Sequence, residues 1–443
     1  LGYVLAAAGA SVGLGNIWRF PYLAAKYGGG IFLIIYIVLA LTFGYTMIVA
    51  ETAIGRMTRK SPVGAFKSFG KKKWLSFGGW INAVIPVLIV PYYSVIGGWV
   101  IKYLVEYFRG NAKLLAEDGY FTDFISNGVS TELCFVAFCA FTLIIIFAGV
   151  QNGIERVSKI MMPILIVLSV IIAVYSVTRP GALAGVKYFL VPNVKNFSWM
   201  TVVSAMGQMF YSLSIAMGIL ITFGSYMKKD TAIEDSTRNV EIFDTGIAIM
   251  AGLMIIPAVF AFSGGDPDTL QAGPSLMFIT IPKVFQNMGF GTVIGIVFFL
   301  LVLFAAVTSS IALTESAVST FEDELGWGRK KATVLVGVIM LALGSLSSLG
   351  YGPLAGIKII GMQFLDLFDF LTNSVMMPIA ALLTSLFVSR VVGIDKIEAE
   401  IIHGESAFRR KKVFVVMIKY LCPVFAIIIL LSSVANALGW IKM

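Results

Sequence analysis

The sequence predicts an all-α integral membrane protein of eleven transmembrane helices. Two five-span repeats of opposite topology are followed by one accessory span. Three observations predict it. Of the 443 residues, 58% are hydrophobic and 13% charged, with mean hydropathy +0.91, which is too apolar for a water-soluble globule. A helix crosses a bilayer with about 20 consecutive apolar residues, and hydropathy with its breakers marks eleven such stretches. Outer-membrane barrels alternate polar and apolar residues and fall short of this mean. Finally, the first and sixth stretches are interrupted by small and polar residues, and they lie five spans apart.

The span centres fall near Gly13, Leu41, Pro91, Phe141, Ile166, Tyr211, Met250, Phe299, Leu335, Ser374 and Ile427. Residues 1–178 then form the first repeat, 179–390 the second, and 391–443 a cytoplasmic loop with the accessory helix. An odd count puts the termini on opposite sides. With the N-terminus inside, the cytoplasmic segments collect Arg56, Arg59, Lys60, Lys67, Lys71, Lys72, Lys73, Arg156, Lys159, Lys228, Lys229, Arg238, Arg329, Lys330, Lys331, Arg390, Lys396, Arg409, Arg410, Lys411 and Lys412. The outer segments keep far fewer: Lys102, Arg109, Lys113, Arg179, Lys187, Lys195, Lys283, Lys358 and Lys442. The positive-inside rule therefore places the N-terminus in the cytoplasm and the C-terminus outside, in a multi-pass protein of the cell membrane.

The net charge of +9 is accounted for by the same rule, so no nucleic-acid partner is expected. Lys71, Lys72 and Lys73 fit it too, with anionic lipid headgroups as the open alternative. Cys134, Cys139 and Cys422 lie in apolar runs without zinc spacing, so neither a disulfide nor a structural metal is expected. Leu1 opens directly onto an apolar run, without the basic n-region of a cleavable signal. Whether the native chain begins before Leu1 is left open.

Span one places Gly9, Gly13, Gly15 and Asn16 near the membrane midplane, and span six runs Gly207-Gln208-Met209-Phe210-Tyr211-Ser212-Leu213-Ser214. Glycine is a poor helix former. Because five is odd, the two segments enter the membrane from opposite sides, which is the parity of an inverted repeat. Interrupted helices at matching positions in two halves point to a secondary transporter's binding site; close packing through small residues is the plainer alternative. Ionisable side chains within spans need a partner or a task, and Arg19, Glu51, Asp244, Glu315, Asp366 and Asp369 are the candidates. Hard oxygen donors for a cation are available from Ser11, Asn16, Ser212, Asp244 and the run Thr308-Ser309-Ser310.

Gly13-Leu14-Gly15-Asn16-Ile17-Trp18-Arg19-Phe20-Pro21 followed by Gly28-Gly29-Gly30 resembles the neurotransmitter:sodium symporter family. Glu51-Thr52-Ala53-Ile54-Gly55-Arg56, Tyr92-Tyr93, Gly207-Gln208, Ser225-Tyr226 and Phe321-Glu322-Asp323-Glu324-Leu325 extend the resemblance over nearly the whole chain. It implies the inverted repeat of LeuT type, with broken helices one and six and an accessory helix eleven. It also implies two sodium sites. One would use the Ser11 carbonyl, Asn16, Ser212 and the substrate carboxylate. The other would use carbonyls of Gly9, Val12 and Ala305 with the hydroxyls of Thr308 and Ser309.

By the same resemblance, Tyr93 and the amides around Leu14 and Gly15 would hold a substrate carboxylate. Carbonyls near Ser11 and Tyr211 with the Ser214 hydroxyl would receive its ammonium. Ile89, Phe210, Tyr211, Met217, Ser309 and Leu313 would line a side-chain pocket. Monoamine carriers of the family have an acidic residue where this chain has Gly13, so an amino-acid carrier is implied, and the apolar lining favours a hydrophobic or aromatic side chain. Animal members need chloride. Here Asp244, with Tyr36, Gln208 and Ser212 around it, would supply a fixed negative charge, so no chloride is expected, and the division of Asp244 between sodium ligation and charge compensation stays open. Arg19, Asp369 and Gln208 would form an outer gate with Tyr93 and Phe210 as an aromatic lid. Tyr226 and Asp323 would belong to the inner gate. Gly153 and Pro163 match a motif that unwinds the fifth helix.

The function implied is sodium-coupled import of hydrophobic or aromatic L-amino acids by alternating access, with two Na⁺ per substrate. A monomer suffices for it, and a dimer is left open. An amino-acid-binding membrane sensor or channel without coupled transport is the alternative. An enzyme is not expected: His403 is the single histidine, and the chain has no phosphate loop.

Overall fold

The computed structural model of the protein describes residues 2–265, 274–437 and 440; Leu1 and Lys442, named above, lie outside them. Among the described residues, nine helices are continuous, apolar and long enough to cross a membrane. They are α3 (Gly30–Thr58), α4 (Lys73–Phe108), α5 (Gly128–Phe147), α6 (Val150–Val177), α9 (Ile233–Ser263), α10 (Gly291–Leu325), α11 (Arg329–Leu349), α12 (Phe364–Val392) and α14 (Lys411–Asn436). Two further crossings are made of half-helices. The first is α1 (Gly2–Ser11) with α2 (Phe20–Lys26), the latter preceded by a wide turn over Gly15–Arg19. The second is α7 (Trp199–Ser212) with α8 (Ile219–Tyr226). Nine and two make the eleven crossings expected, and each predicted centre falls on its own helix or break. A short helix, α13 (Ile394–Ile402), links α12 to α14.

Both interruptions have local causes. After Ser11 the helix stops at Val12 and Gly13, and the Asn16 side chain turns back so that its Oδ1 accepts from the Gly13 amide at 3.1 Å. Asn16 thus supplies a partner that the broken helix lacks. In the other crossing, Ser214, Ala216 and Gly218 have φ of 53°, 58° and 72°. A left-handed conformation at two residues bearing a Cβ is costly, and buried Glu51 of α3 helps hold it: its Oε1 accepts from the Ala216 amide at 2.7 Å.

α8 packs directly on α3 because both are small at the contact. A Cβ on Gly55 would lie 2.0 Å from the Ile221 carbonyl oxygen, and one on Gly224 would lie 2.6 Å from that of Thr52. Small residues bring helix backbones together in this way within a membrane. Around the two broken crossings stand α4 and α10, which pack along each other, while α1 lies against α9 and α10. The breaks therefore face each other inside a ring of intact helices.

Candidate functional site

Four structural features converge on the two breaks. The first is a carboxylate cluster. Asp244 of α9 is fully buried; its Oδ2 accepts from the Tyr36 hydroxyl at 2.7 Å, and its Oδ1 from the Ser212 hydroxyl at 2.7 Å and the Asn16 amide nitrogen at 2.8 Å. Asn16 also reaches the Ser212 oxygen at 2.9 Å. An uncompensated carboxylate in a membrane interior is expensive. Here it is satisfied by three neutral donors, and no basic side chain pairs with it among the described residues.

The second feature is a knot of carbonyls at the C-terminal end of α1. The Ser309 hydroxyl lies 3.4, 3.2 and 3.3 Å from the carbonyl oxygens of Gly9, Ala10 and Val12, and can donate its one proton to only one of them. Beside it, the Thr308 hydroxyl lies 3.1 Å from the Ala305 carbonyl. Several oxygens thus share very few protons, a donor set suited to a hard cation. The Ser11 hydroxyl, by contrast, is spent on the Ala7 carbonyl at 3.1 Å.

Third is a narrow cavity between these groups, with a volume of about 30 Å³. Ser11, Leu14, Gly15, Ile89, Tyr93, Tyr211, Ser214, Met217, Ser309 and Leu313 all line it, together with Ala10, Gly13, Asn16 and Ile219. The Leu14 amide donates to the Tyr93 hydroxyl at 3.3 Å, and the Ser214 hydroxyl donates to the Ala10 carbonyl at 3.0 Å. A Cβ on Gly13 would meet the Ser309 hydroxyl at 2.5 Å and that of Tyr93 at 3.1 Å, so any side chain there takes the cavity's own space.

Fourth is a larger vestibule of about 400 Å³ on the far side of Tyr211, which lines both spaces. Arg19 and Asp369 both face it but are not in ion-pair contact. The Arg19 guanidinium sits 5.4 Å from the Tyr211 ring centroid, while Asp369 accepts from Tyr92 at 3.3 Å and Asn373 at 2.5 Å. Asp366 is bonded instead by the Tyr351 hydroxyl at 3.2 Å.

Several sequence expectations need correction. Phe210 does not line the cavity or cover it: its ring packs 4.9 Å from Phe43, because one step along a helix turns a side chain by about 100°. Tyr211 takes that place, its ring flush against Gly15. Gln208 is buried and donates to the Gly15 carbonyl at 3.0 Å; it is not among the residues lining the vestibule. Ser212 belongs to the Asp244 cluster and is not among the cavity's lining residues.

Pro163 lies inside a helix that continues unbroken from Arg156 to Val177, and the irregularity is the wide turn Val150–Glu155 that holds Gly153. At the opposite end, Tyr226 and Asp323 each have a partner of their own. The Tyr226 hydroxyl donates to Glu315 at 2.7 Å, Glu315 takes two bonds from Arg329 at 3.0 and 2.6 Å, and Asp323 accepts from the Ser61 amide at 2.5 Å. The sequence offers no partner for Glu51 or Glu315; Ala216 and Tyr226 lie 165 and 89 residues away, and Arg329, 14 residues from Glu315, is on the next helix, so no periodicity marks them.

A family model, the sodium:neurotransmitter symporter family, matches residues 1–114 and 122–440. The chain belongs to this family. Among its relatives, the uncharacterized sodium-dependent transporter YhdH of Bacillus subtilis is 34% identical over 98% of this chain and 96% of its own length. The human sodium- and chloride-dependent GABA transporter 2 is 26% identical over 88% of this chain and 72% of its own. Among solved structures, MhsT in complex with L-phenylalanine superposes with a TM-score of 0.87 at 35% identity, covering 98% of both chains. The fold is thus the LeuT-type fold of the symporter family, and the chain is a multi-pass, sodium-dependent membrane transporter rather than an enzyme.

Proposed function

We propose that this member of the sodium:neurotransmitter symporter family imports hydrophobic or aromatic L-amino acids with two Na⁺ per substrate and without chloride. The observation that carries the reading is the buried Asp244 carboxylate, set among Tyr36, Ser212 and Asn16 next to the cavity. A fixed anion at that place does the work of a mobile one. The Asn16 amide, which now turns its N–H groups to Asp244, rotates to offer its oxygen when a cation enters. One ion then sits among Asp244, Asn16, Ser212 and the Ser11 carbonyl, and the second among the carbonyls of Gly9, Val12 and Ala305 with Thr308 and Ser309.

Gly13 leaves room for a substrate carboxylate against the Leu14 and Gly15 amides and Tyr93, while the carbonyls near Ser11 and Tyr211 and the Ser214 hydroxyl receive the ammonium. At about 30 Å³ the cavity has room for a water or two. An aromatic side chain enters by turning Met217, which is flexible, and by lifting Tyr211 toward the vestibule. The L-phenylalanine held by the similar MhsT supports this class of substrate. Arg19 closes onto Asp369 behind the substrate, and the Tyr226–Glu315–Arg329 network opens on the other side. One helix bundle rocks against the remaining scaffold, as the symmetry of the repeats 1–178 and 179–390 allows, with the N-terminus cytoplasmic and the C-terminus outside.

The energetics suffice. A tenfold sodium gradient contributes about 1.4 kcal/mol per ion and 100 mV about 2.3 more, so two ions supply about 7 kcal/mol, enough for about a 10⁵-fold gradient of a zwitterion. The test is uptake of radiolabelled phenylalanine, tryptophan, tyrosine and leucine into proteoliposomes under an inward sodium gradient, with potassium replacing sodium as control. Concentrative, sodium-dependent uptake is expected. Saturable binding without accumulation would favour a sensor, and downhill flux alone a channel.

A further inference from the structure

The end of the molecule richest in basic residues holds its cations in two ways. Arg56, Lys229, Arg329, Arg410 and Lys411 each meet a carboxylate. Lys71, Lys72 and Lys73 are exposed, and among the described residues no ion pair reaches them. Lys73 is the first residue of α4, Lys72 its N-cap position and Lys71 the residue before, and no side chain caps the helix. Four and seven residues beyond Lys73, on the same helical face, stand Phe77 and Trp80, 56% and 39% exposed.

The flanks extend this surface. The Lys67 ammonium lies 5.8 Å from the Trp80 ring while bonded to Glu324 at 2.6 Å. On the other side, Phe69 packs 5.5 Å from Phe387 and lies 5.6 Å from the Lys396 ammonium. Of the carboxylates in α13, Glu398 pairs with Lys411 and Glu400 with Arg56 and Lys229, and Asp395 stands next to Lys396 in the chain. An unneutralised cationic edge thus runs directly into an exposed aromatic face on a membrane-spanning helix.

We propose that this edge binds the phosphate headgroup of an anionic phospholipid. Lys71, Lys72 and Lys73 hold the phosphodiester at the N-terminus of α4, and Phe77 and Trp80 lie along the acyl chains. The aromatic face selects a lipid over a soluble phosphate, because a free anion has no use for it. Charge complementarity selects an anionic lipid over a zwitterionic one; a basic residue beside an anionic surface favours it by about fivefold.

The experiment is tryptophan quenching in nanodiscs of phosphatidylcholine containing a fixed fraction of brominated-chain lipid, either phosphatidylglycerol or phosphatidylcholine. The Trp80 signal is isolated by subtracting W80F. Brominated phosphatidylglycerol is expected to quench Trp80 at least about threefold more strongly. That excess disappears in K71Q/K72Q/K73Q and persists in K71R/K72R/K73R. Equal quenching by the two lipids in the wild type, or an excess that survives the glutamine variant, overturns the proposal. An excess erased by millimolar inorganic phosphate at constant ionic strength overturns the choice of a lipid. Should the glutamine variant fail to fold, the wild-type comparison alone decides.

Discussion

Asp244 and Gly13 are the residues on which the functional reading turns, one by the charge it adds and the other by the side chain it lacks. Asp244 is buried and satisfied by Tyr36, Ser212 and Asn16, all neutral donors. Its negative charge is therefore free to attract a cation. Removing one partner from a buried charge pair costs about 3 kcal/mol, which corresponds to about a hundredfold in affinity. Asp244→Asn is accordingly expected to raise the sodium concentration for half-maximal uptake by about that factor, read from initial uptake rates at increasing sodium. At Gly13 the expected effect is steric. Gly13→Asp would drive its Cβ to within 2.5 Å of the Ser309 hydroxyl. Its carboxylate would occupy the space proposed for that of an amino-acid substrate. Binding of radiolabelled phenylalanine by scintillation proximity should fall below detection while the folded protein still elutes as a single species in detergent.

At the scale of elements, the structure ties the segment joining α12 and α14 to the transport helices. Arg56 of α3, fully buried, donates its Nε to Glu400 of α13 at 2.7 Å and one terminal nitrogen to the Thr231 carbonyl at 2.5 Å, and Lys229 adds 3.1 Å to the same carboxylate. Burial of Glu400 alone would raise its pKa, but hydrogen bonds from Arg56 and Lys229 outweigh that and hold it below the ordinary 4.5. A carboxyl with a depressed folded pKa contributes stability that is full above 4.5 and is lost as pH falls through the folded value. Glu400→Gln should therefore lower the melting temperature at pH 7, and the gap to wild type should close as the pH is taken below 4.5. A gap constant with pH would remove the ionised pair from the account.

Much of the element scale was legible beforehand, and for a physical reason. Apolar runs of membrane length and the Gly13-Leu14-Gly15-Asn16 and Ser212-Leu213-Ser214 interruptions are local signals, so both breaks and all eleven crossings follow from them. Side-chain direction near a break is not local. Phe210 and Tyr211 are aromatic neighbours about 100° apart on one helix, and which of them meets the cavity depends on how that helix packs, with Phe210 against Phe43 and Tyr211 against Gly15. The Arg56–Glu400 and Glu51–Ala216 contacts join residues 344 and 165 positions apart, with no periodicity to betray them. Of the pair Gly153 and Pro163, Gly153 lies in the irregular turn Val150–Glu155, while Pro163 sits in a continuous helix, as proline can within a membrane.

For the whole molecule, a vestibule of about 400 Å³ lies on the Arg19 and Asp369 side of the breaks, while at the opposite end Tyr226, Glu315 and Arg329 are bonded together. Two separated oxygen clusters predict a sigmoidal dependence of uptake on sodium, whereas a hyperbolic curve would leave one of them without an ion. The fixed carboxylate makes the most distinctive demand. Sodium-driven phenylalanine uptake should be measured in proteoliposomes with chloride fully replaced by gluconate, for wild type and for Asp244→Ser. The expected result is a wild-type rate unchanged by the replacement and a variant whose residual uptake rises when chloride is restored. Wild-type uptake that collapses without chloride would contradict it.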